Sequence, residues 1–323
     1  MEAIEKETFE EMWKLSETSG AKECFRRIEH FEYTSSERDE SEPNPREHMP
    51  EFRYLDRSEL PSEPFHVASG EFFYTVTINV PVYLLYLLSR FLSAGGRILR
   101  GSVLHLSQIA ENGVYAFLSP DERSSGPVKP EPPAGIVVCV GLGARWLGGV
   151  EDEKVCPSRG QTVLIRAPWI NNGKTVKDYE SKLGTFFMPR KSGIVILGGT
   201  SELNDWIADG SYERRNGAPR ADATRAIIER NLKLAPELVP PPLRVEGREP
   251  SVEDILPLVV EEACGFRPER IGGMRLEAGS IRVPFTEKQI PVVYNYGHGG
   301  DGYIASFGSA RVVLELLEKA LAG

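Results

Sequence analysis

Residues 292–308 read VVYNYGHGGDGYIASFG, an apolar β-type run that passes through Gly297, Gly299, Gly300 and Gly302 into the spacing of a closing helix. This handover constrains the fold more than any other stretch. A strand that ends in glycines at a helix start aims backbone N–H groups and the positive end of the helix dipole at one place. With no side chains in the way, an anion or an electron-rich ring can come close to that backbone. A tight packing turn is the other reading, and the segment alone supports both.

The text around it alternates between helix and strand signals. Phe9, Met12 and Trp13 give the first helix an apolar stripe. Residues 32–65, rich in Ser, Glu, Arg and Pro, read as a long surface connection with little structure before Phe52. EFFYTVTIN (71–79) alternates as a strand, Pro81 opens a helix that Gly95 and Gly96 close, and RILRGSVLHL (97–106) reads as a second strand. GIVVCVGLG (135–143) is a buried strand running into a glycine turn, and TVLIRAPW, GTFFMP and SGIVILGGT supply further strands. Helices are expected over Asp222–Leu234, Val252–Cys264 and Ser306–Leu321, and no internal repeat is visible.

With 323 residues, 41% of them hydrophobic, the chain can bury a large core in one domain or in two intertwined ones. A net charge of −9 without a basic stripe argues against nucleic acid as a partner. The most apolar stretch, Val80–Leu92, includes Tyr83, Tyr86, Ser89 and Arg90 and falls short of the ~20 residues of a membrane span. It reads as a buried helix, and no membrane partner is expected. Cys24, Cys139, Cys156 and Cys264 are spaced too widely for a metal knuckle, so neither a metal site nor a disulfide framework is expected. The N-terminus is acidic and helical in period, unlike a secretory leader, and the C-terminal KALAG is no peroxisomal address, so a cytoplasmic location is expected.

GLGARW (141–146) begins like a dinucleotide-binding fingerprint, but Trp146 stands where close helix–strand packing needs Gly or Ala. The acidic ribose ligand about twenty residues further on is missing as well. Gly141 and Gly143 therefore read as a packing turn, and a nicotinamide-dependent dehydrogenase is disfavoured.

SRGQTVLIRAPW (158–169), ILGGTSELNDW (196–206), GFRPERIGGMRLE (265–277) and YNYGHGGDGYIASFGSA (294–310), in this order, resemble the D-amino-acid oxidase and D-aspartate oxidase family of FAD-dependent oxidoreductases. The likeness runs from about Met1 to the C-terminus. It implies a mixed α/β fold in which an incomplete Rossmann-like FAD-binding domain, 80–167 and 275–323, is interleaved with a mainly antiparallel-sheet substrate and interface domain, 1–79 and 168–274. The family opens with a strand, a GxGxxG turn, a helix and a second strand, and residue 1 here matches text after that unit. The expectation is thus an FAD domain lacking its N-terminal βαβ, which holds FAD weakly or not at all.

The resemblance also assigns residues. Arg275 matches the arginine that clamps the substrate carboxylate, and the carbonyl of Gly300 would receive the substrate amine. Val103, Val140, Gly141, Gly299, Gly300, Asp301, Gly302, Tyr303 and Ile304 match cofactor contacts. Lys182 and Phe186 match the family's active-site tyrosines, so the hydroxyl that assists the arginine is absent there. His298 reads as a structural hydrogen-bonding group. The implied reaction is oxidative deamination of a D-amino acid by dioxygen, with neutral substrates expected over acidic ones and a homodimer left open. The alternative is a truncated, catalytically inactive member of the family.

Overall fold

The computed structural model describes residues 1–38, 41–61, 65–126, 129–177, 184–203 and 218–322. In chain order its elements are α1 (Glu2–Leu15), β1 (Phe25–Thr34), β2 (Arg53–Tyr54), β3 (Ser69–Ile78), α2 (Val80–Ser93), α3 (Ser107–Asn112), α4 (Pro120–Ser125), β4 (Ile136–Val138) and β5 (Val155–Arg166). They continue with β6 (Asn172–Lys177), β7 (Gly184–Pro189), β8 (Ile194–Gly198), β9 (Glu202–Leu203), α5 (Ala221–Leu234), α6 (Val252–Ile255), β10 (Val259–Arg270), β11 (Arg275–Arg282), β12 (Gln289–Tyr296) and α7 (Ser306–Ala322). The chain divides into two compact units, one of residues 1–8, 91–158 and 267–323, the other of residues 9–90 and 159–266.

The second unit is built on a large sheet ordered β10-β5-β8-β7-β6-β1-β3-β2, with β9 also on β5. Its pairings are mostly antiparallel, and β1 with β6 is parallel. Alternation puts Val163 and Ile165 of β5, Phe187 of β7, and Val195 and Leu197 of β8 on a face covered by Ile227, Ile228 and Leu232 of α5, all at most 5% exposed. Among them sits one polar side chain whose NH2 end is paired: Asn231 Nδ2 donates to the carbonyls of Gly198 (3.0 Å) and Ile227 (2.9 Å), while its buried Oδ1 has no partner.

The first unit holds a three-stranded sheet, β11-β12-β4, in which β11 and β12 are antiparallel and β4 runs parallel to β12. Ile136, Val138, Ile290, Val292, Leu106 and Leu147 form its core. The first two turns of α1 lie against the start of α7. A Cβ on Gly308 would overlap the Ile4 carbonyl, and the Thr8 hydroxyl accepts the Gly308 N–H at 3.0 Å while donating to that carbonyl at 2.8 Å.

Four expectations are corrected. Residues 97–106 form no strand: apart from one bridge between His105 and Gly148 the segment is irregular. A strand exists through its ladder, and no described strand pairs with this one. Val252–Cys264 is α-helical only to Ile255 and ends in a 3-10 turn at Leu256–Leu258; Pro257 lacks an N–H to continue the α-helical ladder, and the β-branched pair Val259–Val260 opens β10. Residues 25–34, whose end falls within the stretch read as a surface connection, form β1 and pair on both sides. Finally, α2 is not buried. Tyr83 is, but Leu84, Leu85, Phe91 and Leu92 are about half exposed or more.

Candidate functional site

In the first unit, Arg275 of β11 stands directly opposite Tyr296 of β12, and Glu277 opposite Tyr294. The period of two places all four side chains on one face. The Arg275 guanidinium lies over the Tyr294 ring at 3.8 Å, donates from Nη1 to the Tyr296 hydroxyl at 2.8 Å, and from Nε to Glu277 at 2.6 Å. The residue is thus both an ion-pair partner on a strand and a cation over an aromatic ring. Burial works against its charge, but the bonds to Tyr296 and Glu277 outweigh that and raise its pKa above the usual arginine value.

Behind Tyr296 is a buried carboxylate. The Tyr296 hydroxyl donates to Oδ2 of Asp152 at 2.9 Å, Arg270 Nε donates to the same oxygen at 2.8 Å, and the Lys154 N–H donates to Oδ1 at 3.1 Å. Burial pushes the Asp152 pKa up, and these donors more than reverse it, leaving it below the ordinary aspartate value.

From Tyr296 the chain enters the glycine loop. Gly297 (φ 83°) and Gly299 (φ 58°) take left-handed backbone angles, and a single 3-10 turn spans Gly299–Asp301. A Cβ on Gly299 would overlap the Glu269 carboxylate, whereas one on Gly302 would meet nothing within 4 Å and one on Gly300 only Arg267 Cδ at 3.8 Å. One side of the loop is packed and the other is open backbone. Tyr303 (39%) and Ile304 (50%) continue the open side. Burial, then repulsion from Asp301, raises the Glu269 pKa; burial lowers that of His298, whose Nε2 is buried without a hydrogen-bond partner.

Open backbone of this kind suits the ring end of a flavin. Gly300 and Gly302 leave open space that side chains would fill, and the exposed Tyr303 and Ile304 continue that surface. Gly299, Gly300, Asp301, Gly302, Tyr303 and Ile304 are the residues that would hold the ring.

The other sequence candidates fall elsewhere. Val140 is exposed and precedes the 3-10 turn Gly141–Arg145; Gly141 (φ 53°) faces Pro268. Val103 packs against the core of the first unit. Phe186 belongs to the second unit, where its ring covers Gly198 across the β7–β8 pair. Lys182 lies outside the described residues. Among the described residues no His, Cys, Asp or Glu group could hold a metal ion, and no helix is long and apolar enough to cross a membrane.

Sequence reasoning missed Asp152, Arg270, Tyr296 and Glu269. Asp152 is hidden in the charged run EDEK, which reads as a solvated turn. Tyr296 had a signal: tyrosines two apart before the loop share one face of a strand.

Comparison with known proteins defines the class. The model of the FAD-dependent oxidoreductase family matches residues 2–316, and the chain belongs to that family. It is 36% identical over 296 residues to a D-aspartate oxidase of Cryptococcus neoformans, covering 85% of this chain and 69% of that one. It is 30% identical to a D-amino-acid oxidase of Schizosaccharomyces pombe, over 80% of this chain and 62% of the relative. Among solved structures, the fold resembles glycine oxidase from Geobacillus kaustophilus, with a TM-score of 0.61, 17% identity and coverage of 96% of this chain and 76% of that one. The chain therefore spans roughly two thirds of the length of these curated relatives.

Proposed function

We propose that the first unit carries the substrate site of a D-amino-acid-oxidase-type flavoprotein, which converts a D-amino acid, dioxygen and water to a 2-oxo acid, ammonia and hydrogen peroxide. The observation that carries this reading is the placement of Arg275 opposite Tyr296, the residue that leads into the open glycine loop. When bound, FAD would supply the acceptor for the hydride and pass the electrons to dioxygen. The chain's own residues bind and orient. Arg275 uses Nε and one Nη1–H internally, which leaves donors on both Nη atoms for two parallel bonds to a carboxylate. The Gly300 carbonyl is the acceptor for the substrate ammonium, and holding both groups fixes the α-carbon between them.

Neutral D-amino acids are the expected substrates, and D-alanine, D-methionine and D-aspartate together form the test panel. Peroxide release from the three, with FAD supplied, tests the reading. Arg275→Lys is expected to raise KM and lower kcat together, by at least tenfold in kcat/KM, because lysine offers a point charge in place of a planar fork. Equal turnover by the two proteins would remove Arg275 from the reaction.

A second reading, a family member without turnover, is favoured by the short sheet of the first unit and the irregular 97–106 segment beside it. Absence of peroxide from every D-amino acid at saturating FAD, with the fold intact, would select it.

A further inference from the structure

We infer that Asp152 is a positioning residue for the Arg275 guanidinium, acting through the Tyr296 hydroxyl. The inference deepens the proposed function, since it rests on Arg275 as the carboxylate clamp. A tyrosine hydroxyl has one proton. Asp152 takes that proton at 2.9 Å, so the oxygen's lone pairs turn toward Arg275, which donates to them at 2.8 Å. An anion on one side and a cation on the other fix the direction of the O–H, and the hydroxyl in turn fixes Nη1.

The spacing also explains why the anion works at one remove. Asp152 Oδ2 is 4.0 Å from Arg275 Nη1 with the hydroxyl between them. Glu277 meets the guanidinium directly but only at Nε; a second carboxylate at the Nη edge would occupy the fork that the substrate needs, whereas one behind a hydroxyl steadies the cation and leaves that edge open. Asp152 cannot swing forward, because both its oxygens are held, one by Arg270 and one by the Lys154 N–H. Tyr294 beneath the guanidinium, 3.8 Å from it, supports it from one side. A long side chain is thereby ordered before any ligand arrives.

The relay is tested on the full chain with two measurements, the Arg275 Nε–H signal in protein carrying 15N-arginine, assigned by its loss in Arg275→Lys, and the affinity for trifluoroacetate followed by 19F NMR. Asp152→Asn keeps the shape and removes the charge; Tyr296→Phe removes the hydroxyl. Each is expected to shift and broaden the Arg275 signal and to weaken trifluoroacetate about tenfold, and the double variant is expected to be no weaker than Tyr296→Phe alone, since groups in series are not additive. A merely structural Asp152 would lower the melting temperature and leave both readouts unchanged, and that result, or additive losses, would overturn the relay. If Asp152→Asn does not fold, Asp152→Glu moves the charge by one methylene, and an unchanged Arg275 signal there overturns the relay equally. If the unaltered protein binds no trifluoroacetate, the clamp reading fails, and the Arg275 signal alone decides the relay.

Discussion

Gly299 and Gly302 stand three positions apart and answer to different constraints. Gly299 has φ 58° and lies against the Glu269 carboxylate; Gly302 has φ −53° and open space where a Cβ would point. Gly299→Ala is expected to cost about 2 kcal/mol or more, from backbone strain and the displaced carboxylate. Gly302→Ala should stay within about 0.5 kcal/mol in stability. Denaturant unfolding of the two variants measures the difference. If the cradle holds a flavin ring, Gly302→Ala should weaken flavin fluorescence quenching without touching stability, because its methyl group takes the space of the ring. At this scale the glycine loop was legible because four glycines between a strand and a helix are unusual, whereas Arg275 drew notice only through the motif around it, since a lone arginine on a strand reads as an ion pair. Asp152 was not: its role depends on a partner 144 residues away, and nothing in EDEK distinguishes a buried carboxylate from three solvated charges.

α2 shows what periodicity leaves open. Its run of Leu and Tyr specifies a helix, and the helix forms, but the same run gave no means of telling which residues find a neighbour. Tyr83 is 2% exposed and meets the Phe25 ring edge-on at 5.1 Å; Leu85 is 67% exposed. Tyr83→Ala should therefore cost about 3 kcal/mol, whereas Leu85→Glu should be neutral within about 0.5 kcal/mol. A thermal melt of each tests this, and a large loss for Leu85→Glu would mean that the face is covered in solution. β5, β7, β8 and α5 were readable because their patterns match faces that are buried. The 97–106 segment and β10 were misread for the converse reason: one has strand text without a ladder, and the other has helical spacing that Pro257 interrupts.

For the molecule as a whole, His30 sets a limit on the acid side. It lies in β1, 3% exposed, with Nε2 3.2 Å from the Thr175 hydroxyl and Nδ1 without a partner. Burial lowers its pKa from 6.5 to about 4. Above pH 6.5 the ring is neutral folded and unfolded alike, and its titration contributes nothing. As pH falls from 6.5 toward 4 the unfolded chain gains a proton that the folded one refuses, so stability declines by about 3 kcal/mol in the limit. Urea midpoints between pH 7.5 and 4.5 should show this slope, and His30→Gln should flatten it.

The seat of α1 on α7 has a consequence in time. Thr8 meets Gly308 across 300 residues of chain. At about 10 residues per second, the partner of the first helix emerges from a ribosome roughly half a minute after the helix itself. Until then Ile4 and Thr8 have nothing to rest on, and the first unit cannot close, because its sheet also waits for β11 and β12. The second unit is complete by residue 266, so synthesis should yield it first and leave the first unit to assemble last, around a helix made some 300 residues earlier.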